Sequence, residues 1–461
     1  MGLLYKKSAS ELANLISKKE VSSKEVVEAH LNRISEVNPH INAITITLEK
    51  SSLEAANVAD NASDEDRERP LHGVPFTVKE NIDLKGTPTT QGLPILAEAM
   101  PPSNAPIVDR MIQAGAIPIA RTNLPELGLR LDTDNPLRGR TKNPWNPNLT
   151  PGGSSGGEAA AIATGMTPFG LGNDIGGSLR NPAYCCGIAS LKPSVGRIPF
   201  VMSMEPKDIG IARSFLSDGP MARSVNDLKI GLSILSGRHI SDPSSVDVPL
   251  NGPIPKKPKA AIVKNISGFD IAQATIEELE RAKEILSDTG WIVEEVEVPE
   301  LDRVFEVWAS ILNAGFVQAP PKEVFKKETA DYLKRLEGEL VENIIPLGEA
   351  LIERQRLRRL WSKFLNKYSV CIGPTWTNLP WPIDTDLDPD IGINTTKKSF
   401  AFIVPGNCLG LPSVALPMGV SDGLPTGIQV YSELYREDLC FLAAEIIEKE
   451  SVCPTPIDPI V

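Results

Sequence analysis

The sequence predicts a mixed α/β fold, because short strand-like runs alternate with amphipathic helical stretches along the chain. Three features carry this. Two capped helices open the chain, a β-α-β unit lies between about residues 260 and 298, and strand-like runs return after residue 370 before a closing helix. With 461 residues, 41% hydrophobic and 23% charged, the chain can bury a large core and leaves little room for disorder.

Ser8-x-x-Glu11 and Ser22-x-x-Glu25 are capping boxes. Leu12, Leu15, Ile16 and then Val27, Leu31, Ile34 follow at helical spacing. The second helix is expected to stop at Asn38-Pro39, and Ile41 to Leu48 alternates as a strand. Ser63 to Pro70, rich in Asp, Glu and Arg, reads as a solvated connection. From Leu71 to Leu235, Gly, Ser, Thr and Pro are dense and charge is sparse, which suggests a buried, loop-built site. Beyond the Pro/Lys-rich stretch 253–258, Ala260 to Val263 is a strand, Thr275-x-x-Glu278 caps a helix through Leu286, and Trp291 to Val298 is a second strand. Residues 320–365 read as charged helices with a solvated face, Arg354 included. Strands follow at Val370–Pro374 and Ser413–Leu416, then a helix from about Arg436 to Glu448.

Composition excludes several function classes. Lys and Arg number 47 against 59 Asp and Glu, a net charge of −12 that repels phosphate backbones and anionic lipid, so neither nucleic acid nor a membrane surface is an expected partner. No signal-peptide h-region and no run of eighteen uncharged apolar residues occurs, which reads as a cytoplasmic protein. The six cysteines follow no metal-ligand spacing; reduced thiols and no structural zinc are expected. Cys185 and Cys186, among Ala183, Tyr184, Ile188 and Ala189, read as buried inert thiols.

A Ser-His-Asp hydrolase must choose among His30, His40, His72 and His239. Gly152-Gly153-Ser154-Ser155-Gly156 contains Gly-x-Ser-x-Gly, but Thr150-Pro151 before it is a turn where a nucleophile elbow needs a strand. Only His239 lies far downstream, in a Ser-Asp-Pro loop, so that reading is rejected. Phosphate cradling by the glycine loops would need a following Gly-Lys-Ser/Thr, which is missing.

The segment from Pro151 to Arg197, with Gly152-Gly153-Ser154-Ser155-Gly156, Gly176-Gly177-Ser178 and Leu191-Lys192-Pro193, closely resembles the amidase signature family of serine hydrolases. Gly73-Val74-Pro75-Phe76-Thr77-Val78-Lys79, Thr122 to Glu126, Asn143 to Asn146, Gly219 to Ser224 and Asn407 to Gly427 extend the resemblance over nearly the whole chain. The middle, about 236–365, fits least. The resemblance implies one amidase-like domain, 1–461, with a large mixed β-sheet surrounded by helices. Its parts are a helical N-terminal segment 1–68, a core 70–235, a variable middle 236–365 and a returning part 366–461.

The resemblance further implies a Ser-cis-Ser-Lys triad: Ser178 as nucleophile, Ser154 (in preference to Ser155) as bridge and Lys79 as base. The backbone N–H groups of Ile175, Gly176, Gly177 and Ser178 would form the oxyanion hole, each donor worth roughly 3 kcal/mol. Elementary chemistry agrees, since a buried lysine can be neutral near pH 7 and accept a serine proton, and Val74, Phe76 and Val78 surround Lys79 in sequence. The competing reading is a structural ion pair of Lys79 with Glu80 or Asp83. Asp174 and Arg180 read as a fixture holding the loop.

The implied reaction is hydrolysis of a small-molecule amide, carbamate or ester without metal or organic cofactor, by a monomer or homodimer. An amidotransferase A subunit stays open, as does a catalytically silent binding subunit. Between Pro199 and Ser217 the wording departs from the family's, and Met202, Met204, Ile209, Ile211, Arg213 and Phe215 could line an apolar pocket or simply pack. If they pack, the pocket is to be sought around residues 305–350.

Overall fold

The computed structural model of the chain describes residues 3–203, 210–266, 268–315, 321–340 and 344–461. Both capping boxes form. Ser8 and Ser22 accept from the Glu11 and Glu25 amides, and each glutamate takes its serine's N–H at 2.8 Å. Each cap contributes about 1 kcal/mol. They start the helices Ala9–Ser17 and Ser23–Ile41.

The second helix runs through Pro39 instead of stopping there. Asn38 explains this: its carbonyl accepts from the Asn42 amide, its side chain accepts from the Ala43 and Ile44 amides, and Asn42 turns left-handed at φ 56°. The side-chain bonds satisfy donors that a proline-broken turn would strand.

Eleven strands form one sheet: β1 (Ile44–Thr47), β2 (Pro75–Lys79), β3 (Ile117–Thr122), β4 (Phe169–Asp174), β5 (Ala189–Lys192), β6 (Ser217–Ala222), β7 (Lys259–Ile262), β8 (Ile292–Glu295), β9 (Val370–Pro374), β10 (Ser413–Ser421) and β11 (Leu424–Tyr431). Their order is β1-β3-β2-β4-β6-β5-β10-β11-β9-β7-β8. β3, β2 and β4 are parallel, as are β9, β7 and β8, and every other neighbouring pair is antiparallel. The mixed α/β expectation is met. β2, β4, β5, β6 and β9 bury every residue, so helices and loops cover both faces there.

Residues 71–235, expected to hold a buried, loop-built site, also supply β2 to β6. Strands buried on both faces do not alternate apolar with polar, which hides them from a period-2 reading. Smaller differences occur at ends. The helix expected from Thr275 begins at Gln273, the connection 63–70 holds a short helix Asp64–Arg67, and β8 is shorter than Trp291–Val298.

The charged middle forms helices Lys327–Glu339 and Leu347–Lys367. Arg354 leaves the solvated face: its guanidinium donates to the Ser214 carbonyl at 2.9 Å and lies 4.8 Å over the Phe215 ring. No helix among the described residues is long and apolar enough to cross a membrane.

Candidate active site

Lys79 ends β2, between β3 and β4, and is fully buried. Its Nζ donates to Ser154 Oγ at 2.7 Å and to Asn173 Oδ1 at 2.9 Å. Asn173 and Asn81 exchange amide hydrogen bonds at 3.0 and 3.3 Å, fixing the acceptor. Burial lowers the lysine pKa to about 7, against the opposing pull of Asp174, Asp218 and Glu158.

The ion-pair alternative for Lys79 is not formed. Glu80 takes Arg138 at 2.7 Å and Thr90 Oγ1 at 2.9 Å, and Asp83 takes the Ser203 amide at 2.8 Å. Glu158, from the helix Gly156–Ala163, accepts from Thr122 Oγ1 at 2.6 Å and from Thr77 Oγ1, and burial raises its pKa to about 7.

The loop 152–155 enters that helix through a cis Gly153–Ser154 peptide. A Cβ on Gly153 would sit 2.5 Å from the Arg130 carbonyl, so only glycine fits this close approach. The Gly153 amide donates to Asn181 Oδ1 at 3.0 Å, tying the loop to the helix Arg180–Cys186 just after Ser178. Ser155 Oγ has no partner among the described residues. Lys79 therefore engages Ser154 and not its neighbour.

On the other loop, Asp174 accepts from the Gly177 amide at 2.7 Å, the Leu179 amide at 3.1 Å, Arg180 Nε at 3.1 Å and Asn407 Nδ2 at 2.8 Å. Burial raises this carboxyl, but Arg180 and Asn407 outweigh it and hold the pKa well below the usual range. Arg180 also donates to the Ile403 carbonyl at 2.8 Å and to Tyr431 Oη at 2.7 Å. Gly177 has φ +102°, a conformation glycine takes freely. Since its amide is taken by Asp174, the amides of Ile175, Gly176 and Ser178 are the ones left without an acceptor among the described residues. Ser178 is 5% exposed, against 0% for Lys79 and 2% for Ser154, so of the three it lies nearest solvent.

The expected pocket residues divide. Met202 lines a small cavity with Asn81 and Asp218. Phe215 is fully buried under Arg354, and its carbonyl accepts from Asn407 Nδ2 at 3.2 Å, so it packs against the residue that also holds Asp174. Arg213 pairs with Asp242 and lies 5.1 Å over the Phe200 ring, a structural position. Met204 and Ile209 lie outside the described residues.

The ring missed by sequence reasoning is Trp308. It comes from the helix Leu301–Gly315, donates Nε1–H to the Ile175 carbonyl at 3.3 Å and packs on Phe400 at 5.0 Å. A Cβ on Gly176 would meet Trp308 at 3.0 Å, and one on Gly177 would meet Ile403 at 2.7 Å. Only the lack of a local motif hid these residues.

Asp132, Asp384 and Asp386 converge within 4.8 Å. Arg130 reaches Asp386 at 2.8 Å and Asp384 at 2.9 Å, and Arg140 reaches Asp132 at 2.6 Å, which makes this an ion-pair network. Thr150 Oγ1 donates to Asp132 Oδ1 at 2.9 Å, so the network braces the start of the Ser154 loop. Cys185 and Cys186 are buried and burial raises both thiols, leaving them inert.

A family model described as Amidase matches residues 25–441. The chain is 38% identical over 458 residues to an indoleacetamide hydrolase of Bradyrhizobium diazoefficiens, covering 98% of this chain and 87% of that protein. It is 29% identical to the A subunit of a glutamyl-tRNA(Gln) amidotransferase from Caldanaerobacter subterraneus, covering 97% of this chain and 96% of that protein. Among solved structures, a bacterial aryl acylamidase of the amidase signature enzymes superposes with a TM-score of 0.84 at 25% identity, covering 98% of this chain and 97% of that one.

Proposed function

Because the chain belongs to the amidase signature family and is an amidase, we propose that it hydrolyses small carboxylic amides with an aromatic acyl group through an acyl-enzyme on Ser178. The observation that carries the relay is the 2.7 Å bond from the buried Lys79 Nζ to Ser154 Oγ beside the Ser178 loop. Ser178 attacks the carbonyl as its proton passes through Ser154 to neutral Lys79. The carbonyl oxygen gains charge facing the amides of Ile175, Gly176 and Ser178, already oriented by the Asp174–Gly177 bond. The same relay returns the proton to the departing nitrogen, which an amide requires because a bare amide anion leaves poorly. Water then enters along the relay and frees Ser178.

An aromatic acyl group is favoured by the apolar wall of Trp308, Phe400 and Ile403 against the nucleophile loop, and by the likeness to an indoleacetamide hydrolase. Purified protein offered indoleacetamide, a short aliphatic amide, an anilide, an ester and a carbamate should turn over the aromatic acetamide with the highest kcat/KM. A fluorophosphonate should label Ser178. Labelling elsewhere, or hydrolysis confined to esters and carbamates, would overturn the reading. Loss of label altogether would point to a silent binding subunit.

A further inference from the structure

Two serines that pass a proton between them must be held at a set separation. Here they stand on different loops: Ser154 just before the helix Gly156–Ala163, and Ser178 between β4 and the helix Arg180–Cys186. Asn181, the second residue of the latter helix and fully buried, touches both loops. Its backbone N–H donates to the Gly177 carbonyl at 2.7 Å, and its side-chain Oδ1 accepts from the Gly153 amide at 3.0 Å. Gly177 precedes Ser178 and Gly153 precedes Ser154, so one residue grips the glycine before each serine.

The other ties of the Ser154 loop lie upstream of Gly153. The Gly152 amide donates to Thr150 Oγ1 at 3.0 Å, and the Gly152 carbonyl accepts from Thr133 Oγ1 at 2.8 Å. Among the described residues no side chain but Asn181 takes a backbone group of Gly153 or Ser154, and the next backbone bond runs from the Ala159 amide to the Ser155 carbonyl at 3.0 Å. The approach is close: a Cβ on Gly152, at φ +79°, would sit 2.7 Å from Asn181 Oδ1 and 2.6 Å from Pro182 Cα. The other end of the asparagine amide is idle, since Asn181 Nδ2 is buried and has no partner among the described residues. A buried donor left unpaired costs free energy, so for packing alone an apolar side chain of the same shape would serve better. The oxygen is the atom the loop uses.

We propose that Asn181 is a positioning residue of the reaction, setting Ser154 relative to Ser178, on the reading that the nucleophile's proton passes through Ser154. It transfers no proton. It fixes the distance over which one moves, and a misplacement of about 1 Å in such a geometry can cost on the order of 100-fold in rate. The backbone bond to Gly177 is open to any residue in a helix, whereas the bond to Gly153 needs an acceptor on a side chain of this length. Lys79 holds the Ser154 hydroxyl from one side, and Asn181 holds the backbone that carries it from the other.

The test compares Asn181→Leu and Asn181→Asp with the unaltered protein, by kcat and KM on an amide and by melting temperature. Leucine keeps the shape and lacks the oxygen. It removes the idle Nδ2 donor and leaves the Gly153 N–H unpaired, two changes of opposite sign, so the melting temperature should stay within about 4 °C. kcat should fall roughly 10- to 100-fold with KM within about threefold, because substrate contacts are untouched and the relay is displaced. Asn181→Asp offers an oxygen at the same reach and should hold kcat within about fivefold of the unaltered value. A leucine variant that keeps kcat within about twofold, raises KM alone, or melts well below the unaltered protein overturns the proposal. So does an aspartate variant as slow as the leucine one. Ser154→Ala separates the two failures: full turnover there removes the relay itself, whereas lost turnover there beside an active Asn181→Leu removes only the role of Asn181.

Discussion

Lys79 Nζ lies 2.7 Å from Ser154 Oγ, and among the described residues no carboxylate lies within ion-pairing distance of it. A buried lysine held by a hydroxyl and an amide oxygen is poised to be neutral, and a neutral lysine is a base.

Activity should therefore rise with pH through about 7. The ammonium form cannot accept the serine proton, and burial favours the neutral amine above that value. Lys79→Ala should lower amide turnover by several orders of magnitude and activated-ester turnover less, since a good leaving group relies less on the returned proton. Equal losses on both substrates, measured as kcat/KM, would take Lys79 out of the relay.

Ser178→Ala should abolish turnover, by several orders of magnitude, with an unchanged circular dichroism spectrum and melting temperature. Only a hydroxyl is lost, from a loop held by Asp174 and Arg180. Mass spectrometry of a trapped acyl-enzyme should place the adduct on Ser178; an adduct on Ser154, Ser155 or a cysteine contradicts the assignment.

Trp308→Ala and Phe215→Ala should separate specificity from scaffold. Removing Trp308 should raise KM for an aromatic acetamide on the order of 10-fold and leave a short aliphatic amide within about threefold, the scale of one apolar contact in a pocket. Phe215→Ala should lower both activities alike and cost about 3–5 kcal/mol in denaturant unfolding, because a fully buried ring leaves a cavity. The opposite pattern would return Phe215 to the pocket.

Asp174→Asn should destabilise by about 3–5 kcal/mol, since Arg180 would be left as a buried charge without its carboxylate. It should also loosen the Gly177 amide and so reduce kcat. Unchanged stability in urea would mean that Asn407 and Tyr431 alone satisfy Arg180.

The sequence alone determined the capped helices, the β-α-β unit and the residue types at 79, 154 and 178, because these are local signals: a cap three residues from its partner, or glycines flanking a serine. Tertiary structure decided what depends on neighbours across the sheet. Lys79 meets Asn173, 94 residues away in the chain, because β4 lies beside β2, and meets Ser154, 75 residues away, where the loop before the helix Gly156–Ala163 reaches the end of β2. Asp174 takes the Gly177 amide, and Trp308, 133 residues past Ile175, reaches its carbonyl. Phe215 and Arg213 turned out to be supports for the same reason. Periodicity encodes which face of a strand is buried, and strand order, which decides what that face meets, is fixed only when the whole sheet packs.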